Sequence, residues 1–213
     1  MHRLRITEIF HSLQGEAATV GWRTVFVRLT GCPLRCGYCD TTYAFKGGEW
    51  MTLDAILAAV AQYAARHVTV TGGEPLAQAE CLTLLTALCD AGYRVSLETS
   101  GALDVSAVDP RVVKVMDLKT PSSGEMARNL YDNVEHLLPH DQVKFVIGDE
   151  RDYRWSREQL ERFALPSRCD VLFSPVAGEM DPAQLADWAL RDRLDVRFQL
   201  QLHKVLWGNE PGR

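Results

Sequence analysis

Three cysteines lie within eight residues of the chain, at Cys32, Cys36 and Cys39, with the spacing C-x3-C-x2-C. Three thiolates on one short loop can hold three irons of a 4Fe–4S cluster, and the fourth iron then has no protein ligand. Such an open corner implies an exogenous ligand. A structural zinc site is the alternative, but zinc needs a fourth ligand and usually a second close pair. Cys81 and Cys89, eight residues apart on a predicted helix, are a poor pair, so the spacing favours a cluster.

A second motif, Gly72-Gly73-Glu74-Pro75, ends a short run rich in β-branched residues. Two glycines at the tip of a strand allow a ligand to lie against bare backbone, and a glutamate can accept from an ammonium group. Taken alone, these four residues are also an acceptable turn. Their place in the strand–helix unit next to the cysteine loop favours ligand binding.

Both motifs need elements to position them, and the hydrophobic pattern indicates alternating strands and helices. Strands are predicted over residues 24–30, 67–71, 94–99, 112–118, 143–147, 171–173 and 196–202. Helices are predicted over residues 52–66, 77–91, 125–137, 154–163 and 182–193. A strand and a helix repeated about every 30 residues are typical of a parallel sheet with crossover helices.

The length of the chain limits the possible architectures. A closed eight-unit barrel takes about 250 residues, and this chain has 213. We therefore predict an α/β fold, a partial (open) TIM-like (β/α)6 barrel of parallel strands, and a doubly wound sheet is the alternative. Both arrangements bind ligands at the carboxyl ends of the strands. No linker or low-complexity stretch interrupts the pattern, so residues 1–213 are predicted to form a single domain.

The composition excludes several classes of protein. Hydrophobic residues make up 46% and charged residues 24% of the chain, as in soluble globular proteins. The net charge is −5 and no lysine–arginine cluster is present, which disfavours direct binding of nucleic acid. The longest apolar run, residues 55–61, is far shorter than the roughly 18 residues of a membrane span. The first residues contain no apolar signal core, so we expect a cytoplasmic protein without a membrane partner.

The two motifs together resemble the paired hallmarks of the radical S-adenosylmethionine (SAM) superfamily. That resemblance implies a 4Fe–4S cluster on the three cysteines and SAM bound at the open iron by its methionine group. It also implies reductive cleavage of SAM to a 5′-deoxyadenosyl radical, which abstracts hydrogen from the substrate. The SAM-binding residues implied by the resemblance are Tyr38, Asp40, Gly72, Gly73, Glu74, Ser100, Lys119 and Ser174. The glycines and Glu74 would bind the methionine amino group, and Tyr38 would approach the adenine.

The segment before the cysteines is similar to the opening of 7-carboxy-7-deazaguanine synthases. The likeness rests on residues 10–16 (FHSLQGE), residues 26–32 (FVRLTGC) and the pair Asp40-Thr41, and it continues at residues 98–101, 117–119, 173–176 and 201–204. One departure is Ala17, where the family commonly has a second glycine. The resemblance implies ring contraction of 6-carboxy-5,6,7,8-tetrahydropterin to 7-carboxy-7-deazaguanine with loss of ammonia, on the route to queuosine and other 7-deazapurines. Hydrogen abstraction at C6 of the carboxypterin would begin this reaction, and SAM would be regenerated at its end.

The chemistry of that substrate suggests which residues bind it. The carboxypterin has a guanidine-like edge of N–H donors, from which Gln14 and Glu16 would accept hydrogen bonds. It also has a carboxylate, to which Arg28 could form a fork. An ion pair inside the barrel is the alternative for Arg28. The resemblance further implies that Thr41 helps to hold Mg²⁺, which prefers oxygen ligands. The full predicted substrate set is Leu13, Gln14, Gly15, Glu16, Arg28, Thr71 and His203.

Two other functions fit parts of the pattern. A glycyl-radical-enzyme activase is similarly short and uses the same cysteine spacing with SAM, but Gln14, Glu16 and Arg28 count against it. A zinc-binding or iron–sulfur structural module is the alternative that is not an enzyme. As partners we expect the pterin and an electron donor such as flavodoxin or ferredoxin. We also expect a second copy of the chain, because a homodimer would cover the edges of an open barrel.

Overall fold

The chain forms one sheet with helices on its outer side. The computed structural model describes residues 2–208 and 210–212. The strands are β1 (Arg3–Leu13), β2 (Arg23–Leu29), β3 (Glu49–Thr52), β4 (His67–Gly72), β5 (Arg94–Thr99), β6 (Val113–Asp117), β7 (Gln142–Ile147), β8 (Asp170–Pro175) and β9 (Arg197–Phe198). The α-helices are α1 (Leu53–Ala61), α2 (Cys81–Asp90), α3 (Glu150–Phe163), α4 (Pro182–Arg191) and α5 (Leu202–Trp207). None of the helices in these described ranges is long and apolar enough to cross a membrane.

The strand order in the sheet is β3-β1-β2-β4-β5-β6-β7-β8-β9, which is linear rather than closed. Every neighbouring pair from β2–β4 through β8–β9 is parallel. β1 pairs antiparallel with both β2 and β3, and these two pairings extend the sheet at one edge. The predicted α/β fold, an open partial barrel with a mostly parallel sheet, is confirmed, and all seven predicted strands are present.

The two faces of the sheet differ in polarity because side chains alternate along each strand. On β2, Val25, Val27 and Leu29 are fully buried against the helices, whereas Phe26 and Arg28 line an inner cavity. The outer apolar side chains form two main clusters, one around β2, β4 and β5 with α1 and α2, the other around β7 and β8 with α3 and α4. The inner face carries Arg28 and the other polar residues that line the cavity, while the helices bury the apolar outer face.

The helices α1, α3 and α4 begin at side chains that cap them. Thr52 accepts a hydrogen bond from the backbone of Ala55 and starts α1, as the sequence predicts. Asp149 accepts from the backbone N–H of Asp152, so α3 begins at residue 150, earlier than predicted. α1 ends at residue 61, five residues before the predicted end.

The helix predicted over residues 125–137 is wrong. Short 3-10 turns at Met126–Arg128 and Tyr131–His136 occupy this stretch instead. Asn129 bonds both backbone groups of Lys119, and Asn133 accepts from Val105 N at 3.1 Å. Side chains that bond a distant backbone in this way compete with helix formation.

The two ends of the sheet also differ from the prediction. β1 and β3 were not predicted, and the last strand, predicted over residues 196–202, is reduced to β9 and followed by α5. In β1 only Leu4 and Ile6 are buried hydrophobic residues, and the strand is partly exposed from Thr7 onward. A strand with so short a buried alternation gives a weak pattern.

Candidate active site

A cavity of about 700 Å³ lies inside the open barrel. The cysteine loop follows the carboxyl end of β2, whereas residues 14–16 follow β1, whose last residue Leu13 is the register partner of Arg23 at the start of β2. The cavity therefore has a cysteine end and an opposite end, which we call the loop end. All predicted site residues except Glu74 and Ser174 line it.

The three thiols at the cysteine end are free and half-buried. Burial raises the pKa of Cys36 to about 11 and also raises the pKa of Cys32. Thiols must lose their protons to become metal ligands, so cluster binding would release protons here. Arg35 holds the loop, because its guanidinium lies 4.3 Å from the ring centroid of Phe45 and donates to Cys32 O at 2.8 Å.

Gly72 and Gly73 bring the tip of β4 against the cysteine loop. A Cβ added at Gly73 would lie 2.3 Å from Gly31 O and 2.6 Å from Cys32 Cβ, and one at Gly72 would lie 2.5 Å from Leu29 O. The backbone N–H of Gly73 donates to Leu29 O at 3.2 Å, and that of the next residue donates to Gly31 O at 2.8 Å. These contacts hold the Gly72-Gly73 segment beside the thiols.

Glu74 is fully buried and does not line the cavity. Its carboxylate accepts from Thr99 Oγ1 at 2.9 Å, from Ser100 N at 2.7 Å and Oγ at 2.5 Å, and from Leu76 N at 3.1 Å. In this arrangement the glutamate anchors the loops after β4 and β5. Ser174 is also buried away from the cavity, and its Oγ has no hydrogen-bond partner among the described residues. The predicted contacts of these two side chains with SAM stay predictions.

Tyr38 and Lys119 lie together near the cysteine end, with the Lys119 ammonium 6.0 Å from the Tyr38 ring centroid. Burial raises the pKa of Tyr38. Burial lowers the pKa of Lys119, but Asp117, 3.0 Å from its ammonium, outweighs this and the net shift is upward. A neutral phenol beside a charged lysine presents both an aromatic face and an ion to a ligand.

Asp40 and Thr41 follow the last cysteine directly and line the cavity. Thr41 Oγ1 donates to Asp40 Oδ1 at 2.8 Å, and Lys204 of α5 lies 2.9 Å from Asp40 Oδ2. Burial opposes ionisation of Asp40, but the Lys204 ammonium outweighs it and lowers the pKa of Asp40 to about 2. Asp40 and Thr41 supply oxygen ligands of the kind that Mg²⁺ prefers.

At the loop end, Gln14 and Glu16 are held by specific partners. Gln14 Nε2 donates to Thr69 Oγ1 at 3.0 Å and to Glu98 Oε1 at 3.3 Å. Glu16 Oε2 lies 2.6 Å from Lys144 Nζ, and this pair lowers the pKa of Glu16 although burial alone would raise it. Gln14 Oε1 itself accepts from the backbone N–H of Glu16 at 3.2 Å, and both residues predicted for the pterin edge line the cavity.

The rest of this loop packs against the C-terminal helix. A Cβ at Gly15 would lie 2.1 Å from His203 Nδ1, so the glycine allows the imidazole to approach. Burial lowers the pKa of His203, which favours the neutral ring. Ala17, at the position where a second glycine was expected, has φ 63°, in the left-handed region that favours glycine.

Arg28 forms the predicted alternative, an ion pair, and still lines the cavity. Its Nε lies 2.7 Å from Glu8 Oε1, and its guanidinium lies 5.7 Å from the ring centroids of Phe10 and Tyr43. Because Glu8 contacts Nε, the two terminal nitrogens of the guanidinium are the ones suited to a carboxylate fork.

Several residues of the site were not predicted from the sequence. The cavity also contains Glu98 and Lys144, and Gln201 and Lys204 reach it from the region of α5. A charged residue within an otherwise apolar strand is a usable signal, because lysine and glutamate are rarely buried unless paired. Glu8 gave no such signal, because β1 itself was not predicted.

The residues present fit a cluster and SAM, because three free thiols and the Gly72-Gly73 segment meet at the carboxyl ends of the strands. This fold and site define a radical SAM enzyme, and residues 26–118 match the radical SAM superfamily. The chain is 47% identical to the 7-carboxy-7-deazaguanine synthase of Chlorobaculum tepidum, over 96% of this chain and 94% of the relative. It is 43% identical to that of Koribacter versatilis, over 97% of this chain and 98% of the relative.

A solved structure agrees with these relatives. The crystal structure of QueE from Escherichia coli matches with a TM-score of 0.79 and 25% identity, over 94% of this chain and 95% of that chain. The chain belongs to the 7-carboxy-7-deazaguanine synthase family. The predicted family is confirmed, and the activase alternative is not favoured. The superfamily match implies a 4Fe–4S cluster and SAM as cofactors.

Proposed function

We propose that this chain converts 6-carboxy-5,6,7,8-tetrahydropterin to 7-carboxy-7-deazaguanine with release of ammonia. One observation carries the proposal: a single cavity contains the three thiols at one end and Gln14, Glu16 and Arg28 farther in. An activase of a protein glycine would have no use for a clamp that matches a small molecule with donors on one edge and a carboxylate.

In this proposal the substrate lies between β2 and the loop end. Arg28 binds its carboxylate, and Gln14 and Glu16 accept from its N–H edge. The remaining wall consists of Leu13, Gly15, Thr71 and His203, all of which line the cavity. The neutral imidazole favoured at His203 can donate or accept one hydrogen bond at each nitrogen.

The cysteine end holds the cofactors. Cys32, Cys36 and Cys39 hold the cluster, and SAM contacts Gly72, Gly73, Tyr38, Asp40, Ser100 and Lys119, with Glu74 and Ser174 beneath this surface. When bound, cluster and SAM supply a one-electron cleavage and a carbon-centred radical that abstracts hydrogen from the substrate. The residues of this chain bind and orient both ligands.

Further components extend the proposal. Thr41, with Asp40 beside it, would help to hold a Mg²⁺, whose positive charge would favour the loss of ammonia. An electron donor such as flavodoxin or ferredoxin reduces the cluster, and the chain acts as a single domain over residues 1–213 and as a homodimer. The open sheet, with β3 and β9 at its edges, supports the homodimer because unpaired edges need cover.

Anaerobic turnover tests the proposal. The reconstituted protein should form 7-carboxy-7-deazaguanine from the carboxypterin, SAM and a reductant, with no added protein substrate. Cys36→Ala should abolish SAM cleavage, whereas Cys89→Ala, on half-buried helix surface away from the cavity, should retain it. Arg28→Ala should keep the iron content and raise KM for the pterin. Wild-type protein that assembles its cluster but does not use the pterin would disprove this function.

A further inference from the structure

Two lysines are buried in neighbouring strands, on opposite faces of the sheet. Lys114 of β6 is 2% exposed and its ammonium lies 2.8 Å from Asp141 Oδ2. It alternates with Val115 and Asp117, which line the cavity, so its side chain lies on the helix side. Lys144 of β7 is 7% exposed and lines the cavity itself. The two residues have the same chemistry, but only one faces the ligand site.

Lys144 and Gln201 together hold the carboxylate of Glu16. Lys144 Nζ is 2.6 Å from Oε2, and Gln201 Nε2 donates to Oε1 at 2.8 Å. A carboxylate has about four acceptor positions, so one donor on each oxygen leaves acceptor capacity for a ligand. A protonated Glu16 would lose part of that capacity and present an O–H to the same donors.

Lys144 also connects the two ends of the cavity. Its ammonium lies 3.6 Å from Asp117 Oδ2, and the same oxygen is 3.0 Å from Lys119 at the cysteine end. Charges therefore alternate from Lys119 through Asp117 and Lys144 to Glu16. Without Lys144, the carboxylates of Glu16 and Asp117 would lose the cation that they share.

Stability alone does not account for a lysine in this position. A buried ion pair is weak evidence for stability, because apolar residues of similar volume are often as stable or more so. Lys114 and Asp141 already form such a pair on the other face, outside the cavity. On the cavity face, Lys144 instead keeps the Glu16 carboxylate ionised and fixed in orientation.

We propose that Lys144 is a positioning residue that sets substrate selectivity, by keeping Glu16 an anionic acceptor aimed at the N–H donor edge of the substrate. The proposal rests on the pterin function proposed above and assigns to Lys144 a role that acts through Glu16. The ligand class that this arrangement selects is a flat heterocycle with adjacent N–H donors, such as a 2-amino-4-oxo ring.

The test compares Lys144→Met with Lys114→Met in the full chain, reconstituted anaerobically. Pterin binding is measured by fluorescence titration with SAM present and without reductant, so that no turnover occurs, and KM and kcat are then measured with reductant. Lys144→Met should weaken pterin binding and raise KM at least about tenfold, because hydrogen bonds to charged groups contribute that much. SAM affinity and iron content should not change. Lys114→Met should leave pterin binding and KM unchanged, whatever its effect on the melting temperature.

An analogue that lacks the 2-amino group gives a second measurement. Wild-type protein should prefer the aminated pterin, and Lys144→Met should lose most of that preference. Equal selectivity in wild type and Lys144→Met would overturn the proposal, and so would equal losses in the two lysine variants. Failure of the wild type itself to bind or convert the pterin would reject the proposed function instead.

A double variant removes the unpaired charge that could prevent Lys144→Met from folding. Glu16→Gln with Lys144→Met leaves no Glu16 carboxylate for Lys144 to position, so its pterin affinity should equal that of Glu16→Gln alone. Effects that simply multiply would show that Lys144 acts independently of Glu16 and would overturn the proposal.

Discussion

The tip of β4 touches the cysteine loop through backbone atoms at Gly72 and Gly73. The sequence suggested that these glycines leave room for a ligand. The structure adds a requirement that holds before any ligand binds, because a side chain at Gly73 would collide with Gly31 O and with Cys32 Cβ. Backbone atoms of another segment cannot move aside as the end of a flexible side chain can.

Gly73→Ala should therefore destabilise the protein and loosen the loop that carries the thiols. Overpacking of this kind costs about 1–3 kcal/mol, so the cofactor-free protein should melt earlier and take up less iron on reconstitution. Gly37→Ala is the matched control, since its added Cβ would meet only Ser122 O at 3.7 Å. Equal melting temperatures and equal iron contents in the two variants would contradict the steric explanation.

Glu8 illustrates how a backbone irregularity aims a side chain. The register of β1 against β2 shifts between Ile6 and Glu8, and Glu8 is then the register partner of Arg28. A β-bulge commonly redirects a side chain beside an active site. Here it brings the Glu8 carboxylate to Arg28 Nε, and Tyr43 OH donates to the same oxygen at 2.8 Å.

Glu8→Ala should lower kcat/KM for the carboxypterin about tenfold, mainly by raising KM, because Arg28 loses the partner that orients its fork. Glu8→Gln keeps an oxygen that can accept from Nε and should retain most of the activity. Steady-state kinetics on both variants measure the difference. An unchanged KM in Glu8→Ala would show that Arg28 is oriented by its aromatic neighbours alone.

At the scale of elements, continuous β-branched and apolar runs made the central strands predictable. β5 was predicted with its observed bounds, Arg94–Thr99, and β4 and β7 within one residue. The helix predicted over residues 125–137 is wrong because the apolar spacing there suits a helix, whereas Asn129 and Asn133 bond backbone outside this stretch. Such bonds depend on segments that are distant in the chain.

The same limit applies to the site. Cysteine spacing and the Gly-Gly-Glu-Pro motif are local, so they were recognisable from the sequence. The partners of Glu16 are not local, since Lys144 lies 128 residues away and Gln201 lies 185 residues away. Register between strands and helix docking bring these groups together, and neither is visible in a short window of sequence.

The start of β4 should make the stability of the fold depend on pH. His67 pairs in register with Arg94 and follows Arg66, and its ring lies 5.4 Å from that of Trp22. Burial lowers the pKa of His67, and the two arginines add to the effect. The unfolded chain then binds more protons than the folded chain below about pH 6.5. The contribution of His67 is complete above that pH and is lost as the pH falls through the folded-state pKa.

Urea unfolding of the cofactor-free protein at pH 7.5 and pH 5.5 measures this effect. His67→Gln should lose less stability between the two pH values than the wild type does. His136→Gln, at an exposed histidine, is the matched control and should follow the wild type. A wild-type loss that His67→Gln leaves unchanged would assign the acid sensitivity to other groups.

Across the whole molecule, α5 joins the two ends of the cavity. Leu202 N donates to Gly15 O at 2.9 Å, and Gln201 donates to Glu16. Two residues further on, Lys204 pairs with Asp40, which follows the last cysteine. The last helix of the chain thus contacts both the loop after the first strand and the loop that carries the thiols, although it is only six residues long.

Lys204→Met should loosen both loops with little change in global stability. The Lys204–Asp40 pair is partly exposed, and such pairs contribute about 0–1 kcal/mol, so the urea midpoint should barely move. Local opening needs less free energy than global unfolding, so amide hydrogen exchange in the cofactor-free chain should accelerate at residues 13–17 and 39–45. Lys46→Met removes the same charge from an exposed position just past the second segment and serves as the control. Acceleration confined to α5, or equal in both variants, would mean that the helix packs on each loop separately and does not couple them.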